Sequence, residues 1–266
     1  MLGLLLLAGR GLSEPVAVRH AEGLLHGFLT LRSLDGRSLA EGELLQTSRG
    51  DVVTSELVFR FKDGSVHDEK TVFSQAGPFR LVRYELKQKG PTFPRTLEFT
   101  LDGTTGEAAA RYTDDGQEKV ETERLDPVPT DLANGLVPTL LKNLDSEAPL
   151  KLSMLAATPK PRLVGLEIEV AGEDRVSAAG RSITARHYVV KVALGGIAGL
   201  VAPLVGKQPP DTHVWILPGP APAFLRVEGA LYVGGPVWRI DLANPAWPKV
   251  AADAASAPHS PSTDRP

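Results

Sequence analysis

Through the middle of the chain, apolar and polar residues alternate with period two. Leu57, Phe59 and Phe61 share one side, with Glu56, Arg60 and Lys62 on the other. Val82, Tyr84 and Leu86 alternate with Arg83, Glu85 and Lys87, and Leu97, Phe99 and Leu101 alternate with Thr96, Glu98 and Thr100. Farther on, Val164, Leu166, Ile168 and Val170 alternate with Glu167 and Glu169. Successive side chains of a strand point to opposite faces. This pattern therefore predicts antiparallel strands with one face buried and one face wet. Between the runs stand Asp35-Gly36, Asp63-Gly64, Gly90-Pro91, Asp102-Gly103 and Asp115-Gly116. Asp-Gly suits the tight turns of hairpins. Residues 22–124 thus read as about eight strands in a meander.

One stretch breaks the rhythm. Leu132, Leu136, Val137, Leu140, Leu141 and Leu144 recur with helical spacing. The spacing predicts an amphipathic helix near 131–144, with Asp131 or Thr130 as N-cap and Pro138 as a kink or a new first turn. Such a helix cannot bury its own apolar face, so it belongs on the concave side of the sheet or in the end of a barrel. Strands resume at Leu150, Leu152 and Met154, at Tyr188, Val190 and Val192, and over 213–217, 223–231 and 236–242. The expected fold class is mainly β: an antiparallel meander forming a strongly curved sheet or unclosed barrel, with one amphipathic helix on its concave side. Two β halves joined by the helix are the alternative. The expected organisation is a single β-rich domain over 21–248.

Composition narrows the function classes. The chain of 266 residues carries 29 basic and 32 acidic residues, a net charge of -3, which offers no basic excess for nucleic acid. Cysteine is absent, so disulfides, thiol catalysis and Cys-held metals are excluded. Leu2 to Ala8 is an apolar run of the minimum length for an export signal. Residues 1–20 therefore read as a signal segment whose true start lies upstream, giving a periplasmic or otherwise exported protein. The alternative is an apolar N-terminus packed on the core of a cytoplasmic protein. Residues 251–266 contain no large apolar side chain, and 249–266 reads as a disordered tail.

Chemistry-bearing motifs are sparse. The six histidines show no metal-ligand spacing, and no nucleophile elbow is present. His67, within SVHDEK, reads as a solvated surface residue, and His187 and His213 as strand residues with structural roles. No catalytic residue, cofactor or metal is predicted. The uncharged run between Lys191 and Lys207 is too short and too rich in glycine to span a bilayer. It reads as a buried apolar loop, or as a flap in which Ile197, Leu200, Val201 and Leu204 cover a hydrophobic cavity. The C-terminal strands gather His213, Trp215, Arg226 and Trp238. Aromatic and cationic groups on neighbouring strands can form a ligand wall, while ordinary cross-strand packing is the plainer reading.

The segment THVWILPGPAPAFLRVEGALYVGGPVWRIDL resembles the closing hairpins of bacterial envelope proteins. The meander, then helix, then further strands over residues 20–245 is similar to the lipoprotein-carrier (LolA/LolB-like) superfold. That resemblance implies a periplasmic location and a concave apolar surface for acyl chains, with no catalytic residue to carry over. Three functions follow as expectations. The first is a non-catalytic carrier of a lipid, lipoprotein segment or other hydrophobic small molecule. The second is an envelope module with a filled core and a protein partner. The third is a hydrolase built from scattered His and carboxylate groups.

Overall fold

The computed structural model describes residues 15–145, 147–178, 180–193 and 209–243. Most of the expected signal segment, the 249–266 tail, and Ile197, Leu200, Val201 and Leu204 lie outside the described residues. The first eight strands are β1 (Leu25–Ser33), β2 (Ser38–Arg49), β3 (Val52–Phe61), β4 (Val66–Ser74), β5 (Arg80–Lys89), β6 (Leu97–Asp102), β7 (Glu107–Asp114) and β8 (Gln117–Arg124). A short helix α1 (Val137–Leu141) follows. Then come β9 (Leu150–Ala156), β10 (Arg162–Ala178), β11 (Arg181–Ala193), β12 (Thr212–Leu217), β13 (Ala223–Gly229) and β14 (Trp238–Leu242).

Among the described residues, all fourteen strands belong to one antiparallel sheet, ordered β8-β7-β6-β5-β4-β3-β2-β1-β14-β13-β12-β11-β10-β9. Strands that are neighbours in sequence pair with each other, as short turns demand, except β8 and β9. The remaining pairing is β1 on β14, where Leu29 lies opposite Leu242 and Leu31 opposite Ile240. That pairing joins the N-terminal and C-terminal meanders into one sheet, in place of two halves hinged at the helix. The expected turn at Asp115-Gly116 forms with positive φ at both residues, 49° and 74°, the geometry that matches strand twist in a two-residue hairpin.

The sheet is not closed: β8 and β9, consecutive in sequence, are its two free edges. Residues 125–149 span from one edge to the other, and they carry the leucine stripe inward. Leu132, Leu136, Leu140 and Leu141 are buried in the main core with Phe73, Phe99, Leu155 and Tyr188. The helix itself is much shorter than the expected 131–144. Residues 131–133 are extended instead: the Ala133 N–H donates to Ser153 O at 2.8 Å and the Ser153 N–H to Asp131 O at 3.3 Å. Asn134 then uses its side chain on the backbone of Leu155, donating to its O at 2.8 Å and accepting from its N–H at 3.0 Å. Gly135 follows at φ +67°, a conformation that breaks a right-handed helix. Only past this point does Pro138, in the first turn, find a place where its missing N–H is harmless.

The inner face holds a second cluster near the β1–β2 turn, with Phe61, Phe93, Tyr232 and Trp238 in edge-on or tilted ring contacts at 5.5–6.1 Å. A bulge between Val72 and Phe73 opposite β5 sends Leu81, rather than Val82, into the core. The segment before β1 is integrated as well. Val16 is buried and accepts from the Phe79 N–H at 3.0 Å. The Arg19 and His20 N–H groups donate to Asn143 Oδ1 at 2.8 and 2.7 Å. The structured part therefore begins before the expected boundary at residue 21.

Because the leucine stripe fills the space between the sheet edges, Leu140→Ala should destabilise the protein by about 2–5 kcal/mol in urea unfolding. A loss under about 0.5 kcal/mol would show that this passage does not complete the core.

Candidate functional site

Strand register places two rows of polar residues side by side on the outer face. His187, Trp215, Arg226 and Asp241 lie opposite one another across β11 to β14. His213, Glu228 and Arg239 form the next row. Asp174 on β10 accepts from the Trp215 indole N–H at 2.9 Å and pairs with His187 Nδ1 at 3.0 Å. A carboxylate only accepts, so His187 carries its proton on Nδ1 and its Nε2 accepts in turn. That orients His213, whose Nδ1–H donates to His187 Nε2 at 2.9 Å. The His187 ring stacks on Trp215 at 4.5 Å and 12°. Arg226 lies 6.0 Å from the Trp215 ring centre and is held by Asp241 at 2.6 Å.

Of the sequence-predicted residues, His213, Trp215 and Arg226 thus come together. Trp238 does not, since it faces the core with Phe61. A bulge between Trp215 and Ile216 shifts β13 so that Phe224 turns inward while Arg226 stays outside. Phe224, Arg226 and Glu228 therefore do not share a face. Asp174 and His187 complete the outer group. Chemically, Asp174–His187–His213 is a hydrogen-bonded relay able to pass one proton along its length. The Trp215 ring is already flanked by His187 and Arg226, so its faces are occupied by the protein itself.

The inner face carries a different polar group. His67 is not solvated: it is 2% exposed, among Phe59, Phe93 and Gln88. The alternation of β4 explains why. His67, Glu69 and Thr71 share parity with the core residue Phe73. Glu69 lies opposite Leu57 on β3 and Leu86 on β5. The Tyr84 hydroxyl donates to its carboxyl group, and burial, then the Glu69 charge, pushes the Tyr84 pKa well above the ordinary phenol value. Tyr84 therefore remains an O–H donor at any physiological pH.

Beside this polar group the inner face is apolar yet open. Leu25, Leu44, Leu57, Phe224 and Leu242 have the parity of core residues, but all remain partly exposed, Leu25 by 42%. The Glu69 side chain keeps 21% exposure. Near this strip, a recess of about 380 Å³ lies between His20–Glu22, Lys142 and Pro220–Pro222. Glu22 anchors its rim through the Lys142 ion pair and by accepting from Gln46 at 2.9 Å. Pro222 leads directly into Ala223 and Phe224.

No protein-family model matches the chain, and no curated protein matches it. Among solved structures, the chain is similar to the crystal structure of a beta-barrel-like protein of domain of unknown function DUF1849 from Brucella abortus. The two are 10% identical, with a TM-score of 0.47 over 87% of this chain and 98% of that one. Among the described residues no helix is long and apolar enough to cross a membrane.

His187 provides a pH test of the outer relay. Burial lowers its pKa, His213 adds to that, and Asp174 opposes both. The unfolded residue, near pKa ~6.5, takes its proton first as pH falls. The relay's contribution is therefore complete above about pH 6.5 and is lost as pH falls toward the lower folded-state value. Unfolding free energy should fall more steeply from pH 7.5 to 5 in wild type than in His187→Asn. Equal slopes would show that His187 titrates alike in both states.

Proposed function

We propose that this chain is a non-catalytic binding protein that carries a hydrophobic ligand, such as an acyl chain, against the inner face of its open sheet. The observation that carries this reading is the strip Leu25, Leu44, Leu57, Phe224 and Leu242: apolar, inward-facing and still partly exposed. Leaving them open forgoes roughly 25 cal/mol for each Å² of apolar surface, which a bound ligand would restore. The resemblance to lipoprotein carriers fits the same use. Export fits as well, from the apolar run Leu2 to Ala8. Because Val16 packs in the core, signal removal would fall before it. N-terminal sequencing of protein from a periplasmic extract tests this, and intact Met1 protein confined to the cytoplasm would end the export proposal.

The binding test uses Leu44→Glu, since Leu44 lies opposite Leu57 and Gly27 and faces no charged partner across the sheet. An ionised side chain on the strip must be desolvated when an apolar ligand docks. Displacement of a fluorescent hydrophobic dye should show at least tenfold weaker binding in the variant, about 1.4 kcal/mol. Its melting temperature should change little, because Leu44 is already partly exposed. If wild type binds neither dye nor lipid, the reading passes to the filled-core envelope module.

A further inference from the structure

The inner polar group has one hydrogen-bonding group without a partner, and the identity of that group can be derived. Gln88 Nε2 lies 2.8 Å from the Leu231 carbonyl oxygen. A carbonyl only accepts, so this atom of Gln88 is the amide nitrogen. Its second N–H points to His67 Nδ1 at 3.0 Å, which must therefore offer a lone pair. The His67 proton then sits on Nε2. That Nε2–H is buried and has no hydrogen-bond partner. Glu69 Oε2, at 3.5 Å, lies just beyond hydrogen-bonding distance. A buried donor left unpaired is costly, so native proteins rarely contain one.

We infer that His67 and Glu69 form the head-group anchor of the inner groove, and that the ligand they select is an amphiphile bearing a hydroxyl group. This rests on the binding reading above and names the chemistry of that same site. The argument is one of matching. His67 Nε2–H offers a donor, and the Glu69 carboxyl group offers an acceptor beside it. A hydroxyl oxygen can accept from the first while its proton goes to the second. An ether or ester oxygen accepts from His67 but gives Glu69 nothing. A carboxylate meets the Glu69 oxygens with like charge, and an ammonium has no lone pair for His67. The apolar body then lies along Leu57, Leu44 and Phe224. The far side of the anchor is shut by Gly135. A Cβ there would come within 1.9 Å of Thr71 Oγ1 and 3.1 Å of Glu69 Oε1. The connecting passage therefore packs directly against Thr71 and Glu69.

The test measures displacement of a bound hydrophobic dye by four probes of equal chain length: 1-dodecanol, dodecyl methyl ether, dodecanoate and dodecylammonium. Wild type should bind the alcohol at least tenfold more tightly than the other three. Glu69→Met and His67→Phe should each erase that preference while still binding the dye. Glu69 is partly exposed, so its variant remains informative if the buried His67→Phe fails to fold. Should all four probes bind wild type equally, the anchor is wrong while the binding reading stands. Should none displace dye and no dye bind, the binding reading itself falls. A crystal structure with 1-dodecanol closes the matter. The hydroxyl oxygen within hydrogen-bond distance of both His67 and Glu69 supports the anchor. An ordered water there, with the alcohol elsewhere, overturns it.

Discussion

The structure depends on how an open sheet hides its interior. Fourteen strands in one layer have a single inner face, and here the two edge strands do not pair with each other. The inner side chains of β4 to β7 would meet water through that gap. The passage from β8 to β9 closes it with Leu132, Leu136, Leu140 and Leu141, each contributing on the order of 1.5–3 kcal/mol by burial. Its backbone is held in register by β9 through Leu132 opposite Ser153 and by the Asn134 amide. Sequence, local geometry and packing meet in this one segment. The leucines make it inward-facing, Gly135 lets it press on β4, and Pro138 starts the short helix.

The two edges are treated differently, which follows from what lies on each. The β9 edge is partly covered by residues 131–133. The β8 edge is exposed at every residue, and its composition is charged. Arg111–Glu118, Lys119–Asp114 and Arg124–Glu107 pair along that hairpin. Exposed pairs of this kind add little stability. They do discourage a second chain from adding to the edge, because docking would have to desolvate them.

Much of this was legible from period two. Side-chain alternation in a half-buried strand is a local property, so the strands of 57–61, 97–101 and 164–170 could be read from the residues alone. The helix was over-read because leucines spaced four, one and three apart fit both a helix and a strand-turn-helix passage. What separates the two is the pairing of 131–133 with β9, a contact between residues twenty positions apart. Bulges are similarly invisible. One at Val72 exchanges Val82 for Leu81 in the core, and one at Trp215 parts Phe224 from Arg226. His67 was within reach. SVHDEK looks solvated as a composition, but its parity with Phe73 puts every second residue indoors. The outer relay was half legible, since His213, Trp215 and Arg226 lie in consecutive strands. Asp174 and His187 enter only through the sheet order.

Hydrogen-bond saturation then separates the two histidine groups. On the outer face every link is made: Asp174 accepts from Trp215 and His187, His187 from His213, and Arg226 is held by Asp241. Such a set braces five adjacent strands, β10 to β14, and leaves no aromatic face for a ligand. On the inner face the same kind of derivation ends one bond short, at His67 Nε2. The cost of an unmade bond is greatest where water is excluded. That atom is buried beside a carboxyl group and at the end of an apolar strip that the fold leaves partly open. A group able to bridge donor and acceptor gains most there, and it does so where a hydrophobic chain can lie alongside. The two clusters contain similar residues, but the outer one is complete in itself, whereas the inner one leaves the His67 Nε2–H without a partner.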